Sequence, residues 1–287
     1  MNRYGDFSYI CKTGSLPVCN YFRTSIVPTC TLNTIGSGSV QIVDLGNFSV
    51  TIIAILLIFV LMIKSYNKTA AVGRKEVSLF LASAMLANIA SLFSFTLKFG
   101  NNGVEKWLNV FNTAALAMTF WALLYFGFVG FQLIPDGSIM SMFLMALTML
   151  VVFIASGFLA ADVTFNITKA LQITTKYPSV SQTLFSIVFI FSAVCVICFV
   201  LCQFIIVFRF LAGRKPLLWL VCAGLSLVLG VALNIFLSST ICKSTSNAIN
   251  SSMFATFLYS IAVFFVYRFW YTITEDEADD FAGMYKF

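Results

Sequence analysis

The feature that most constrains this chain is a series of about seven apolar stretches, each long enough to cross a membrane. A spanning helix needs roughly 20 apolar residues. Hydropathy places the stretches at residues 46–63, 77–97, 107–131, 139–160, 181–208, 217–237 and 253–271. The composition agrees, because 60% of the residues are hydrophobic and 10% are charged, whereas soluble domains have about 25% charged residues. We therefore expect an all-α polytopic membrane protein.

The charges beside the first stretch predict its direction in the membrane. Asp44 precedes it, whereas positive charges dominate the loop that follows, which contains Lys64, Lys68, Arg74, Lys75 and Glu76. Because positively charged loops stay in the cytosol, we expect a lumenal N-terminus and, after seven spans, a cytosolic C-terminus. The later loops agree less evenly, since five lysines fall on the outer side: Lys98, Lys106, Lys169, Lys176 and Lys243.

This direction divides the chain into three parts. Residues 1–45 form a lumenal N-terminal segment, residues 46–271 form the seven-helix membrane domain, and residues 272–287 form an acidic cytosolic tail. No apolar core of signal-peptide length precedes the first span, so we expect that span to act as an uncleaved signal anchor.

Half of the eight cysteines fall in segments assigned to the lumen, namely Cys11, Cys19, Cys30 and Cys242. An even number of cysteines in an oxidising compartment indicates disulfides. We therefore predict two disulfide bonds, and the sequence leaves all three pairings open.

Two glycosylation sequons also fall in lumenal loops. Asn166 begins an Asn-Ile-Thr sequence and Asn250 begins an Asn-Ser-Ser sequence. Both are candidate acceptors, although Asn250 is close to the next span.

The absence of certain residue types excludes several functional classes. The sequence contains no histidine, so histidine-based catalysis, histidine metal sites and histidine proton relays are excluded. No lysine or carboxylate lies in the middle of a predicted span, which argues against a pump, a transporter of charged substrates or a retinal protein. No dense basic run suggests nucleic-acid binding. We expect no catalytic residue, no metal and no cofactor.

Small residues form faces on two predicted spans. Ser83, Ala87 and Ser91 recur every four residues, and Gly127 and Gly130 make a thin face near the end of the third span. Such faces allow helices to approach closely. They predict packing within this chain or, as the alternative, docking to another membrane protein.

The C-terminal tail concentrates negative charge. Five of the chain's eleven carboxylates lie in six residues: Glu275, Asp276, Glu277, Asp279 and Asp280. Such a cluster is typical of a solvated chain end. Because Glu275 and Glu277 give an acidic-x-acidic pattern, the alternative is an export signal that vesicle coat proteins bind.

Several short motifs resemble those of the fungal chitin synthase export chaperones. They are FSYICKTGSLPVC at residues 7–19, AVGR at 71–74, GFVGFQL with DG at 127–137, STIC at 239–242 and the acidic ending YTITEDEADD. They occur in order along nearly the whole chain.

The resemblance implies a non-enzymatic membrane protein of the endoplasmic reticulum. Such a protein helps a chitin synthase to fold or assemble and to leave for the cell surface, and so supports chitin synthesis in the cell wall. Travel with the synthase to the plasma membrane is the alternative to residence in the endoplasmic reticulum. The resemblance also implies that the cysteines at 11, 19, 30 and 242 belong to the family pattern. Expected partners are the synthase, vesicle coat proteins and the lipid bilayer.

The residues also bear on competing functions. Catalysis by a sugar polymerase requires carboxylates for the nucleotide and its metal, but the sequence has no D-x-D, no Q-x-x-R-W and no large cytosolic loop. A seven-helix receptor lacks support from a D-R-Y or an N-P-x-x-Y sequence. A neutral-solute carrier lacks a visible inverted repeat. The receptor and the carrier are retained as alternatives to the chaperone.

Overall fold

The computed structural model describes residues 4–23, 25–36, 38, 40–68, 73–131, 138–168, 171, 178–210 and 215–284. Within these residues, seven helices are long and apolar enough to cross a membrane. The predicted all-α membrane fold is therefore confirmed, and every predicted stretch corresponds to one helix.

The helices extend beyond most of the predicted boundaries. A short helix, α1, covers Ser8–Thr13, and a 3-10 helix covers Pro17–Phe22. The spanning helices are α2 Leu45–Asn67, α3 Arg74–Thr96, α4 Asn102–Val129, α5 Ile139–Phe165, α6 Gln182–Arg209, α7 Lys215–Ser244 and α8 Ser251–Met284. The apolar part of α8 ends at Thr274, so the predicted tail begins inside a helix that continues to Met284.

Side-chain caps fix the start of four spans. Asp44, Asn101, Ser138 and Ser181 each accept a hydrogen bond from a backbone N–H in the first turn of α2, α4, α5 and α6. The first N–H groups of a helix have no partner within the helix, and leaving them unsatisfied near lipid is costly. The caps therefore define where these apolar helices begin.

The bundle is built around α4. This helix packs against α3, α5 and α6, while α8 packs against α7 and α2, and α2 packs against α3. Helix α6 makes few contacts with its neighbours in the chain, α5 and α7, and rests mainly on α4. It is therefore attached to the bundle chiefly along one side.

The residues before α2 lie at one end of the bundle, which we call the segment end. Strand β1, Val40–Ile42, pairs antiparallel with strand β2, Leu97–Phe99, which joins α3 to α4. Phe7 and Phe22 are fully buried there and stack with their ring centroids 4.9 Å apart. We call the opposite end, where α8 continues to Met284, the tail end.

Candidate functional site

The four cysteines assigned to the lumen lie together at the segment end as two disulfide pairs. Cys11 is joined to Cys19, with the Cα atoms 5.3 Å apart. Cys30 is joined to Cys242, with the Cα atoms 6.2 Å apart. The first bond closes a short loop around the start of the 3-10 helix, and the second ties the N-terminal segment to the end of α7.

Close backbone contact also holds this segment against α7. A Cβ atom at Gly14 would lie 2.7 Å from the carbonyl oxygen of Asn234. The same carbonyl accepts a hydrogen bond from Ser15 N at 3.4 Å. Asn234 belongs to a π-helical turn of α7, Leu233–Leu237. Within this π-helical turn, the carbonyl oxygen of Asn234 is available to accept the hydrogen bond from the N-terminal segment.

A buried polar cluster joins the beginnings of α2 and α8. Asp44 Oδ2 accepts a hydrogen bond of 2.5 Å from Ser252 Oγ, and Asp44 Oδ1 accepts one of 2.9 Å from Asn47 N. Asn47 Oδ1 accepts one of 2.7 Å from Thr256 Oγ1. Burial raises the pKa of the Asp44 carboxyl, although the hydrogen bonds oppose that shift. Asp44 was predicted only as a flanking charge, and its role in joining two helices was missed.

The two sequon asparagines differ in accessibility. Asn166 is exposed and ends α5 in a left-handed conformation, with φ 54°. Asn250 is buried, and its Oδ1 accepts a hydrogen bond of 2.9 Å from Ser252 N. An oligosaccharide requires a solvent-accessible amide, so this burial argues against Asn250 as an acceptor and leaves Asn166 as the candidate.

The small-residue face of α3 points into the bundle. Ser83 and Ala87 are buried, and Ser91 is half-buried. The backbone oxygen of Ser83 accepts a hydrogen bond of 3.1 Å from Thr119 Oγ1 of α4. At Ser83 and Ala87 the face is used for packing between α3 and α4, so a partner protein has no access to it there.

The glycine face of α4 is covered by α6. A Cβ at Gly127 would lie 3.0 Å from Phe199 Cδ2, and one at Gly130 would lie 2.6 Å from Ile206 Cδ1. Gln203 Nε2 donates a hydrogen bond of 3.4 Å to the carbonyl oxygen of Gly127. These glycines allow α6 to approach α4 closely. The contact with α4 is the main attachment of α6 to the bundle.

Two buried carboxylates lie in end turns of spans, where the predicted boundaries had left them in loops. Glu76 is fully buried in the first turn of α3, and its Oε1 accepts a hydrogen bond of 2.8 Å from Ser141 Oγ of α5. Asp162, near the end of α5, accepts bonds of 2.5 and 2.7 Å from the backbone N and the hydroxyl of Thr168. Each carboxylate fixes a junction at a bundle end.

Helix α6 presents an outward apolar row. Its exposed members recur every three or four residues: Ile190, Val194, Ile197, Leu201 and Ile205. The row lies on the helix that has few contacts with its chain neighbours. The row faces away from the rest of the bundle.

A family model described as chitin synthase export chaperone matches residues 3–283. The chain belongs to this family. Proteins named chitin synthase export chaperone from Emericella nidulans and Coccidioides immitis are 28% and 29% identical to it, each over 290 residues that cover 98% of this chain and 86% of the relative. One from Cryptococcus neoformans is 28% identical over 284 residues, which cover 98% of this chain and 77% of that protein.

Membership of the chitin synthase export chaperone family confirms the resemblance carried by the short motifs. The family consists of chaperones and not of enzymes, so the expectation that this chain has no catalytic activity is confirmed. The same finding favours the chaperone over the receptor and the carrier.

The acidic residues of this chaperone's tail are placed only by their backbone. Glu275, Asp276, Glu277, Asp279 and Asp280 belong to the last turns of α8, and their side chains lie outside the part of the chain that the structure describes. Among the described residues, no group of three or more cysteine or carboxylate side chains is arranged to hold a metal ion.

Proposed function

We propose that this protein works in the endoplasmic-reticulum membrane, where it helps a chitin synthase to fold or assemble and to leave for the cell surface. The observation that carries the proposal is the family match over residues 3–283, together with relatives named for chitin synthase export. The N-terminal segment would face the lumen and the acidic tail the cytosol, as the positive charges after α2 favour.

The outward row of α6 is the proposed contact for the synthase. In lipid, helices associate through packing and hydrogen bonds, because an apolar helix gains little by leaving apolar lipid tails. Helix α6 rests mainly on α4, so a second helix can pack beside it without displacing another span. Binding there would cover a span of the unassembled synthase until its own partners are in place.

The acidic tail is the proposed export signal. It continues α8 beyond the apolar part that ends at Thr274. Vesicle coat proteins would bind Glu275 and Glu277 on the cytosolic side and collect the chaperone together with its client.

Deletion of the gene tests the function as a whole. A fluorescent chitin synthase and an unrelated surface membrane protein are followed in the source organism with and without this chaperone. We expect the synthase alone to be retained in the endoplasmic reticulum. Normal arrival of every chitin synthase of the organism at the surface would overturn the proposal.

Bulky substitutions test the α6 contact. Val194→Trp and Leu201→Trp stay compatible with lipid but block the close approach of a second helix. We expect them to abolish co-purification with the synthase, whereas Leu56→Trp, on the exposed face of α2, preserves it. Retained binding in both α6 variants would place the interface on another face.

Neutralising the tail separates export from binding. Glu275→Gln combined with Glu277→Gln should hold the chaperone and its client in the endoplasmic reticulum while their co-purification persists. Asp276→Asn combined with Asp280→Asn removes the same charge but leaves the acidic-x-acidic pairs 275/277 and 277/279 in place, and should leave export intact. Equal export by both variants would exclude this signal.

A further inference from the structure

A groove of about 570 Å³ opens at the tail end between α2 and α8. Its cationic lining comes from both helices, with Lys64 and Lys68 on α2 and Arg268 on α8. Asn67 of α2 and Tyr267 and Tyr271 of α8 complete the polar part of the wall. The described lining therefore brings three positive charges to one concave surface.

Aromatic rings hold two of these cations in place. Lys68 Nζ lies 3.5 Å from the ring centroid of Tyr271 and 3.1 Å from Thr274 Oγ1. The guanidinium carbon of Arg268 lies 5.2 Å from the Trp219 ring and 5.3 Å from the Tyr271 ring. Cations at such distances from aromatic faces are attracted to the ring quadrupoles. The fold thus positions the charges of Lys68 and Arg268. A lysine at a helix end that extends into water has no such fixed position.

The groove changes character with depth. Leu61 and Phe264 line it about two turns deeper in the membrane than Lys68 and Tyr271, since α2 and α8 both run towards the tail end. The deep part is apolar and the outer part is cationic. A ligand that matches both parts carries a negative charge at the membrane surface and an apolar portion beneath it.

We propose that this groove binds an anionic phospholipid, with the phosphate-bearing headgroup among Lys64, Lys68 and Arg268 and an acyl chain against Leu61 and Phe264. Cations near a membrane surface attract anionic lipids, and basic pockets between helices bind their headgroups. The apolar floor favours a lipid over free phosphate, which has nothing to place there. The site is separate from the α6 row and from the proposed client.

The test measures binding of short-chain phosphatidylinositol to the full-length protein purified in a neutral detergent. Lys64→Gln and Arg268→Gln should each weaken binding about fivefold, the effect of one charge near the membrane surface. Arg209→Gln is the matched control, because Arg209 is an exposed cation at the same end of α6, outside the groove. It should leave the affinity unchanged. Lys64 is exposed, so its substitution does not disturb the core.

Three results would overturn the proposal. The first is an equal loss of affinity in Arg209→Gln, which would mean a diffuse effect of surface charge. The second is equally tight binding of short-chain phosphatidylcholine, which has no net charge. The third is displacement of the lipid by equimolar inorganic phosphate, which would identify a free-anion site. Arg268→Lys, which keeps the charge, should restore most of the affinity lost in Arg268→Gln.

Discussion

Ser252 Oγ donates a hydrogen bond of 2.5 Å to Asp44 Oδ2, and this bond fastens the start of α8 to the residue that caps α2. The carboxylate is buried, and burial raises its pKa. A helix cap and a contact between the first and last spans thus share one carboxylate.

The stability of the protein should depend on the protonation of Asp44. Its pKa is higher in the folded state than the ordinary aspartate value of 3.8, so its contribution to stability is complete below that value and is lost as the pH rises through the folded pKa. We expect Asp44→Asn to flatten the decrease in unfolding free energy as the pH rises above about 4, measured by reversible unfolding in mixed micelles. Asp44→Ala should cost about 0.5–2 kcal/mol across the range, because the cap is lost. An unchanged pH profile in Asp44→Asn would contradict this role.

Two glycines of α7 should respond in opposite ways to alanine. A Cβ at Gly230 would lie 2.6 Å from Tyr259 Cε1, whereas one at Gly224 meets nothing within 4 Å. We expect Gly230→Ala to destabilise the protein by about 1–3 kcal/mol through overpacking. Gly224→Ala should stabilise it by about 0.5–1 kcal/mol, since alanine favours a helix more than glycine does. Equal effects of the two substitutions on the unfolding midpoint would show that α7 and α8 do not meet closely at Gly230.

Loss of the Glu76 side chain should weaken the junction of α3 and α5. Glu76→Ala removes the acceptor of the Ser141 hydroxyl, and we expect a loss of about 1–3 kcal/mol in unfolding free energy, as for a buried donor left without its acceptor. Glu76→Gln retains an acceptor oxygen of the same reach and should lose less. The reverse order would contradict the hydrogen bond.

Mass spectrometry of unreduced peptides should recover two linkages, Cys11 to Cys19 and Cys30 to Cys242. Replacing both members of the second pair with serine should lower the unfolding free energy by about 2–4 kcal/mol, the usual contribution of a disulfide. Ser variants of the free thiols Cys198 and Cys222 control for the substitution itself. Recovery of a linkage between Cys11 and Cys242 would exclude the pairing.

Glycosidase treatment should distinguish the two sequons and test the orientation at the same time. We expect one glycan, lost in Asn166→Gln and retained in Asn250→Gln, because Asn166 is exposed and Asn250 is buried. A glycan on Asn250 would contradict the burial of its side chain. Asn67, the last residue of α2, begins a third sequon, Asn-Lys-Thr, on the side assigned to the cytosol. A glycan on Asn67 would reverse the proposed direction of the bundle.

The spans were predictable from sequence because hydropathy is a local property of each stretch. Their ends were less predictable, since α7 reaches Ser244 through a π-helical turn at Asn234 that provides an acceptor for Ser15. Local composition contains no information about a partner that is more than 200 residues away. The turns of α7 beyond residue 237 include Cys242, which is bonded to the distant Cys30.

Among the site residues too, the sequence predicted local properties but not the distant residues that they contact. The four cysteines assigned to the lumen stood out by their position in the sequence, but their pairing required the positions of α1 and α7. The small size of Ser83 and Ala87 predicted close packing, whereas only the fold identified α4 as the neighbour. Asn250 is bonded to Ser252, which is bonded in turn to Asp44. Hydropathy does not indicate that these residues meet.

The bond between Cys30 and Cys242 spans 212 residues of sequence, and this distance orders events during biosynthesis. At the usual rate of about 5–20 residues per second, Cys30 waits about 10–40 s before Cys242 has been synthesised. A nascent or truncated chain therefore cannot form the native bond of Cys30, and only a chain completed through α7 can form it. The oxidation state of one early cysteine thus records whether synthesis has passed the end of α7.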